Sequence, residues 1–187
     1  MMKGWSLALI LLLSACSSAP QKVYYQIPVD VKDSAVSITP ASGHYLEIRT
    51  VNLADYLSNS GIVFQTSDVR YTIASNNLWA SPLDQQLRQA LMVTLHDGLP
   101  GWRITSQDIG GNPAMLDVNV TAFQGRYDGK AVINGEWILR YQDKVATHPF
   151  HIEIPQTADG YDALVKALSQ GWLQVGHSIV QQMASFP

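Results

Sequence analysis

Cys16 is the residue with the clearest chemical meaning, because it is the only cysteine among the 187 residues. A single cysteine can form neither an internal disulfide nor a metal site built from several thiolates. Leu13-Ser14-Ala15 precede it, and two small residues let an extended chain enter a peptidase. A thiol in this position is suited to thioether formation with a diacylglycerol donor. The sequence therefore predicts covalent modification of the Cys16 sulfur.

The residues before Cys16 read as a secretory signal. Lys3 supplies a positive start, and residues 7–13 form an apolar run of seven, far short of the roughly 20 residues that span a bilayer. With Leu-Ser-Ala-Cys behind it, this segment resembles the lipobox leader of bacterial lipoproteins. That resemblance implies cleavage before Cys16, S-diacylglycerol on its sulfur and N-palmitoyl on its new amino group. It also implies that Ser17, unlike Asp, permits sorting to the outer membrane.

Three segments follow from this reading. We expect residues 1–15 to be the lipoprotein signal peptide and residues 16–22 to be a lipidated tether of small and polar residues. Residues 23–187 should then form one globular domain that faces the periplasm, and we find no internal linker or repeat in them.

Other catalytic or metal-binding patterns are absent from the sequence. It has no HExxH, GxSxG, Walker or dinucleotide-binding glycine motif. His148 and His151 are three residues apart in a predicted strand, where side chains at that spacing point to opposite faces. The remaining histidines (His44, His96 and His177) share no local frame. We therefore predict no catalytic residues, no metal site, no cofactor and no enzymatic activity.

The composition limits the classes of protein further. Apolar residues make up 47% of the chain, which excludes long disorder. The net charge of −3, with 12 basic and 15 acidic residues, argues against nucleic-acid binding. Charged residues make up only 14%, against about 25% in typical globular domains. We infer a surface that is partly covered by a partner.

The chain predicts an α/β fold with a mixed, largely antiparallel sheet and two long helices. The strongest strand patterns form an antiparallel meander, because an Asp-Gly turn follows the first of them. In that first strand, Met115, Asp117, Asn119 and Thr121 should share a polar face, and Leu116, Val118, Val120 and Ala122 the opposite face. Further strands are expected from shorter apolar runs. The predicted strands are residues 23–27, 44–51, 62–65, 69–73, 102–105, 115–125, 131–140 and 147–154.

Two helices are expected from apolar stripes at helical spacing. The first carries Leu83, Leu87, Leu91 and Leu95, with Ser81 as its N-cap and Pro82 at its first position. The second runs from about residue 160 to 184, capped by Thr157 or Asp159. Inside it, Gly171 and Gly176 cost about 1 kcal/mol each relative to Ala, which suggests close approach to a sheet or a neighbouring chain.

The tryptophans are expected mainly in the core. Trp79, with its neighbour Leu78, is the candidate for a partner interface, because we place it in a loop just before a helix cap.

The lipobox, the Tyr24-Tyr25-Gln26-Ile27 run and Leu78-Trp79-Ala80-Ser81-Pro82-Leu83 at a helix start together resemble the ABC-type transport auxiliary lipoprotein family. The order of later elements agrees. Leu78 and Ser81 stand where the family often has Arg and Glu. The resemblance implies a fold similar to the TolB N-terminal domain.

The resemblance also implies a non-enzymatic part in intermembrane phospholipid transport that contributes to membrane integrity. The expected partner is a PqiB-like MCE protein and, through it, a PqiA-like membrane protein. The domain would dock the MCE tube at the outer membrane, to which its acyl anchor holds it, and a homo-oligomeric ring would suit a symmetric tube. The alternatives are a periplasmic lipid-binding chaperone, which needs a continuous apolar cavity, and an envelope hydrolase, which needs an acid/base pair.

Overall fold

The computed structural model describes residues 20–29, 44–108, 110 and 112–184. The predicted signal peptide, with Cys16 and Ser17, lies outside the described residues. The strands are β1 (Val23–Tyr25), β2 (His44–Leu53), β3 (Gly61–Ser67), β4 (Arg70–Trp79), β5 (Trp102–Thr105), β6 (Ala114–Arg126), β7 (Lys130–Tyr141) and β8 (Lys144–Pro155). The helices are α1 (Leu83–Gly98) and α2 (Tyr161–Met183), and a 3-10 turn covers Asp55–Leu57.

All eight strands belong to one sheet, and β6 is its central strand. On one edge, β6 pairs with β7 along its whole length. On its other edge it pairs first with β2 and then, near its end, with β3, so these two strands follow one another along the same edge. β5 lies outside β2, β4 and β1 lie outside β3, and β8 lies outside β7.

The predicted mixed sheet with two long helices is confirmed. The long β6–β7–β8 meander and the β3–β4 hairpin are antiparallel. The remaining pairings (β1 with β4, β2 with β5 and β6, β3 with β6) are parallel, and each is shorter than the pairings of the meander. The sequence pattern located the meander well because each of its turns joins neighbouring strands.

One face of β6 packs towards the helices, and a bulge shifts which residues lie on it. Leu116, Val118 and Val120 point to the core as predicted, but the register shifts between Val120 and Ala122. After this bulge it is Phe123 that points to the core. The prediction that Ala122 shares the face of Val120 is therefore wrong, because one extra residue at Thr121 reverses the alternation.

Both helices cover this apolar face. The stripe Leu83, Leu87, Leu91 and Leu95 of α1 is buried. The Nε1–H of Trp172, in α2, donates to the backbone oxygen of Leu87 at 2.9 Å. A methyl group on Gly171 would press on Ile133 of the sheet, and one on Gly176 would press on Thr94 of α1. Both helical glycines therefore mark close approach to the sheet and the neighbouring helix.

The predicted helix caps are wrong. Pro82, with a ψ of 131°, is the N-cap of α1 and makes no side-chain cap hydrogen bond. Ser81 instead offers its backbone oxygen to the side-chain amide of Gln86. The N-cap of α2 is Gly160, whose φ of 100° favours glycine, so neither Thr157 nor Asp159 caps the helix.

Gly135 lies next to the bulge, where it pairs with Val120, and has no room for a side chain. A methyl group there would collide with the backbone oxygen of Asn119. Gly135→Ala should lower the free energy of unfolding by ~1–3 kcal/mol, as overpacking does, measured by urea denaturation.

Gly171→Ala is the matched comparison. Its nearest obstacle is the terminal methyl of Ile133, and alanine also gains about 1 kcal/mol of helix propensity. Gly171→Ala should therefore lose less unfolding free energy than Gly135→Ala. Equal losses in the two variants would contradict this account.

Candidate interaction surfaces

Leu78 and Trp79, the predicted interface residues, lie in the core. Trp79 is only 4% exposed, and its ring centroid is 6.1 Å from that of Phe123. Our placement of Trp79 in a loop is wrong, because β4 continues to this residue and pairs there with Tyr25 of β1. Neither side chain is available to a partner in this arrangement.

The histidines are separated from one another. His148 stacks on Trp137 at 5.1 Å between ring centroids, on the helix side of β8. His151 lies on the other face, with its Nδ1 2.6 Å from the side-chain oxygen of Asn134, so the predicted opposite orientation is confirmed. Within the described residues, no three His, Cys, Asp or Glu side chains lie close enough to hold a metal ion.

The face of the sheet opposite the helices, here called the open face, is polar as predicted for Met115, Asp117 and Asn119. At its centre, the buried carboxylate of Asp117 accepts hydrogen bonds from Arg49 at 3.2 Å and from Thr50 at 2.9 Å. Arg140 also donates to it. Two cations and a hydroxyl therefore satisfy this carboxylate within the fold.

The same pattern continues along the open face. The amide of Asn119 accepts from Asn52 at 3.0 Å and donates to Glu136 at 3.2 Å. Nearer the end of β6, the Tyr56 hydroxyl donates to the side-chain oxygen of buried Gln124 at 2.8 Å. Burial raises the pKa of Tyr56 to about 12. Much of the open face is thus internally paired.

A charged cluster lies where β6 passes into β7. Arg126 bonds both Asp128 and Glu153 at 2.7 Å, and Lys130 bonds Glu153 at 2.7 Å. Hydrogen bonds from the two cations lower the pKa of Glu153 from 4.5 to about 2. The cluster therefore stays ionised at neutral pH, and its charges are paired with one another.

Beside this cluster the structure exposes apolar and aromatic side chains, which sequence reasoning missed. We call Val69, Tyr71, Ile73 and Tyr127 the tip patch; their exposures are 84%, 47%, 43% and 54%. The β3–β4 turn and the β6–β7 turn meet there, because the Tyr127 hydroxyl donates to the Asp68 carboxylate. We predicted a strand at residues 69–73, but the sequence pattern did not indicate that its apolar side chains are left uncovered by the helices.

A cavity of about 640 Å³ opens between α1, α2 and the segment after β1. Apolar residues such as Ile27, Val93 and Leu173 line it together with Asp97, Lys166 and His177. Its lining is therefore mixed in polarity. Across the part of the chain that the structure describes, neither helix is long and apolar enough to cross a membrane.

The charged cluster predicts a specific acid sensitivity. Because the folded pKa of Glu153 is depressed, its stabilising contribution is complete above pH 4.5 and is lost as the pH falls towards about 2. The difference in unfolding free energy between the native chain and Glu153→Gln should shrink through this window in urea titrations.

Lys130→Met removes one of the two cations and should raise the pKa of Glu153. The stabilising contribution of Glu153 should then be lost at a higher pH than in the native chain. A difference between native chain and Glu153→Gln that stays constant with pH would contradict the assignment.

Two comparisons with solved structures agree on the fold. A crystal structure of a protein described as uncharacterized superposes with a TM-score of 0.79 at 46% identity, covering 88% of this chain and 99% of that one. A crystal structure from Xanthomonas campestris has a TM-score of 0.67 at 18% identity, covering 88% of this chain and 100% of that one, and supports the fold alone.

The sequence comparisons go further. The chain is 46% identical over 188 residues to proteins named intermembrane transport lipoprotein PqiC from Escherichia coli K12 and Shigella flexneri, and each match covers 100% of both chains. These names describe transport lipoproteins and not enzymes. The family model of the ABC-type transport auxiliary lipoprotein component matches residues 25–180. The chain therefore belongs to the ABC-type transport auxiliary lipoprotein family, as its lipobox and helix-start motif predicted.

Proposed function

We propose that the protein is an outer-membrane lipoprotein of an intermembrane phospholipid transport system, which it serves by docking an MCE-type tube. The observation that carries this proposal is the 46% identity along the whole chain with relatives named intermembrane transport lipoprotein. The match extends through the residues before the domain, where the lipobox lies.

The anchor is Cys16, carrying S-diacylglycerol and N-palmitoyl chains. Each buried CH₂ contributes about 0.8 kcal/mol, so several chains on one residue hold a protein durably where a single chain holds it only marginally. Ser17 permits passage to the outer membrane. The domain then faces the periplasm and reaches towards the partner.

Docking is the step that the domain performs. It receives the end of a PqiB-like tube, coupled to a PqiA-like membrane protein, so that phospholipid passes to the outer membrane without crossing water. This path contributes to membrane integrity. The low charged fraction of 14% supports a surface made for large contacts. A homo-oligomeric ring of the domain would match the rotational symmetry of the tube.

The packing of the described core supports docking over a lipid chaperone. A chaperone needs a continuous apolar cavity for an acyl chain, whereas the centre of this domain is filled by Phe123, Trp137 and Trp172, each at most 2% exposed. The cavity between the helices places Asp97 and Lys166 in its lining. Charged neighbours would make it a costly site for an acyl chain.

Replacing the anchor tests the proposed location. Cys16→Ser should abolish acylation, seen by intact mass, and release the protein from the membrane fraction. Ser17→Asp should keep the acyl chains but move the protein to the inner membrane on a sucrose gradient.

Gln21→Asp, which adds the same charge farther along the tether, is the control and should stay in the outer membrane. An unacylated native protein in the membrane fraction would refute the anchor assignment.

Capture of the partner tests docking. The acylated protein, purified from crosslinked and solubilised envelopes, should bring an MCE-domain protein with it, and the crosslinked species should include multiples of its own mass. Recovery of intact acylated protein with no MCE protein would count against docking.

A further inference from the structure

The tip patch is an exposed apolar surface formed by two adjoining turns. Tyr71 and Ile73 occupy alternate positions of β4 and so share one face, and Val69 precedes them in the turn. Tyr127 joins them from the β6–β7 turn through its bond to Asp68. Val69 is the most exposed large apolar side chain of the described residues, at 84%.

The direction of β1 points the chain before it towards the same end of the domain. β1 runs parallel to β4, with Val23 opposite Asn77. The chain before Val23 therefore comes from the side where β4 begins, which is the tip. Cys16 lies seven residues before Val23, and Arg70, the first residue of β4, lies seven residues before Asn77.

The tether from Cys16 to Val23 and the part of β4 from Arg70 to Asn77 have the same number of residues, which limits the distance between Val23 and the membrane. Seven extended residues reach at most about 25 Å, and seven residues of β4 cover about 23 Å. A tether drawn out along the strand direction thus brings Cys16 level with the start of β4. The tether length therefore allows the membrane surface to lie at about the level of the tip patch, measured from Val23 along the strand direction.

The side chains at the tip suit the boundary between headgroups and acyl chains. Tyrosine is enriched at that boundary because its ring is apolar and its hydroxyl polar. The charges that flank Val69 are one acid and one base, and both have partners. Asp68 accepts from Tyr127, and Arg70 donates to Ser67 at 3.2 Å. Little net charge therefore opposes contact with a lipid surface.

We propose that the tip patch rests in the headgroup region of the bilayer that holds the acyl chains of Cys16, so that the domain is held at two places. This inference rests on the acylation proposed above. Two attachments fix an orientation that a single attachment leaves open. The strands then rise from the membrane, and the β7–β8 turn at the other end of β7 faces the periplasm.

A single-site probe tests this contact. Once Cys16 is acylated, the mature chain has no free thiol, so Val69→Cys can be labelled alone with an environment-sensitive fluorophore. Val145→Cys is the matched control, since Val145 is also an exposed valine (64%) but lies beside the β7–β8 turn. Both acylated proteins are reconstituted into phosphatidylethanolamine–phosphatidylglycerol vesicles, with and without brominated acyl chains.

The label at position 69 should shift to the blue and be quenched by brominated lipid, while the label at position 145 should do neither. Adding Tyr71→Ser and Ile73→Ser should reduce the quenching at position 69 while the protein stays bound to the vesicles. Thermal unfolding followed by circular dichroism verifies that each variant is folded.

Three results would overturn the inference. Vesicle-bound protein with no quenching at position 69 would leave the proposed anchor intact and refute the tip contact. A blue shift without quenching by brominated lipid would identify protein, in the form of a second copy, as what covers the tip. Native protein that intact mass shows to be unacylated would refute the anchor and the tip contact together.

Discussion

The fold depends on the burial of one face of β6. This strand bonds β7 on one edge and both β2 and β3 on the other, so every other part of the sheet is attached through it. Its core-facing side chains, Leu116, Val118, Val120 and Phe123, are at most 1% exposed. The helices pack over the sheet on either side of this strand, α1 against β2 and β5 and α2 against β7 and β8. A change that reverses the alternation of β6 would therefore disturb the sheet and both helices at once.

The sequence was sufficient for features set by local chemistry. The meander followed from alternating residues and an Asp-Gly turn, and the leucine stripe of α1 from four-residue spacing. The bulge at Thr121 could not be predicted, because it is a feature of how β6 pairs with β7, where Gly135 lies against the backbone of Asn119 across the strands. The parallel pairing of β2 and β3 with β6 likewise joins segments far apart in the chain.

The errors at Trp79 and at the tip have a common physical origin. Short apolar runs in β3 and β4 do not reveal where the cover of the helices ends. Trp79 is buried because β1 pairs beside it and Phe123 lies against it, whereas Val69 is exposed because the hairpin extends to the edge of the domain. Burial at these positions is a property of distant elements and not of the local pattern.

The open face and the tip patch differ in how far their side chains find partners within the fold. Asp117 and Asn119 find their hydrogen-bond partners on neighbouring strands, so the open face gains little from a further ligand. In the tip patch, the Tyr127 hydroxyl has a partner in Asp68, but the exposed aliphatic side chains of Val69 and Ile73 have no such compensation in water. This difference is why we propose that the tip patch, and not the open face, lies at a bilayer.

The way β1 joins the sheet also decides how the domain responds to mechanical force. A pull applied through the chain before Val23 acts along β1, parallel to β4, so the hydrogen bonds of β1 are loaded in shear and must fail together. The chain beyond β1 is held as well, because the Ile27 N–H donates to buried Gln86 at 2.8 Å and the Pro28 oxygen accepts from Ser169. Tension applied through the chain before Val23 would thus be spread over β4, α1 and α2 before β1 could separate from the sheet.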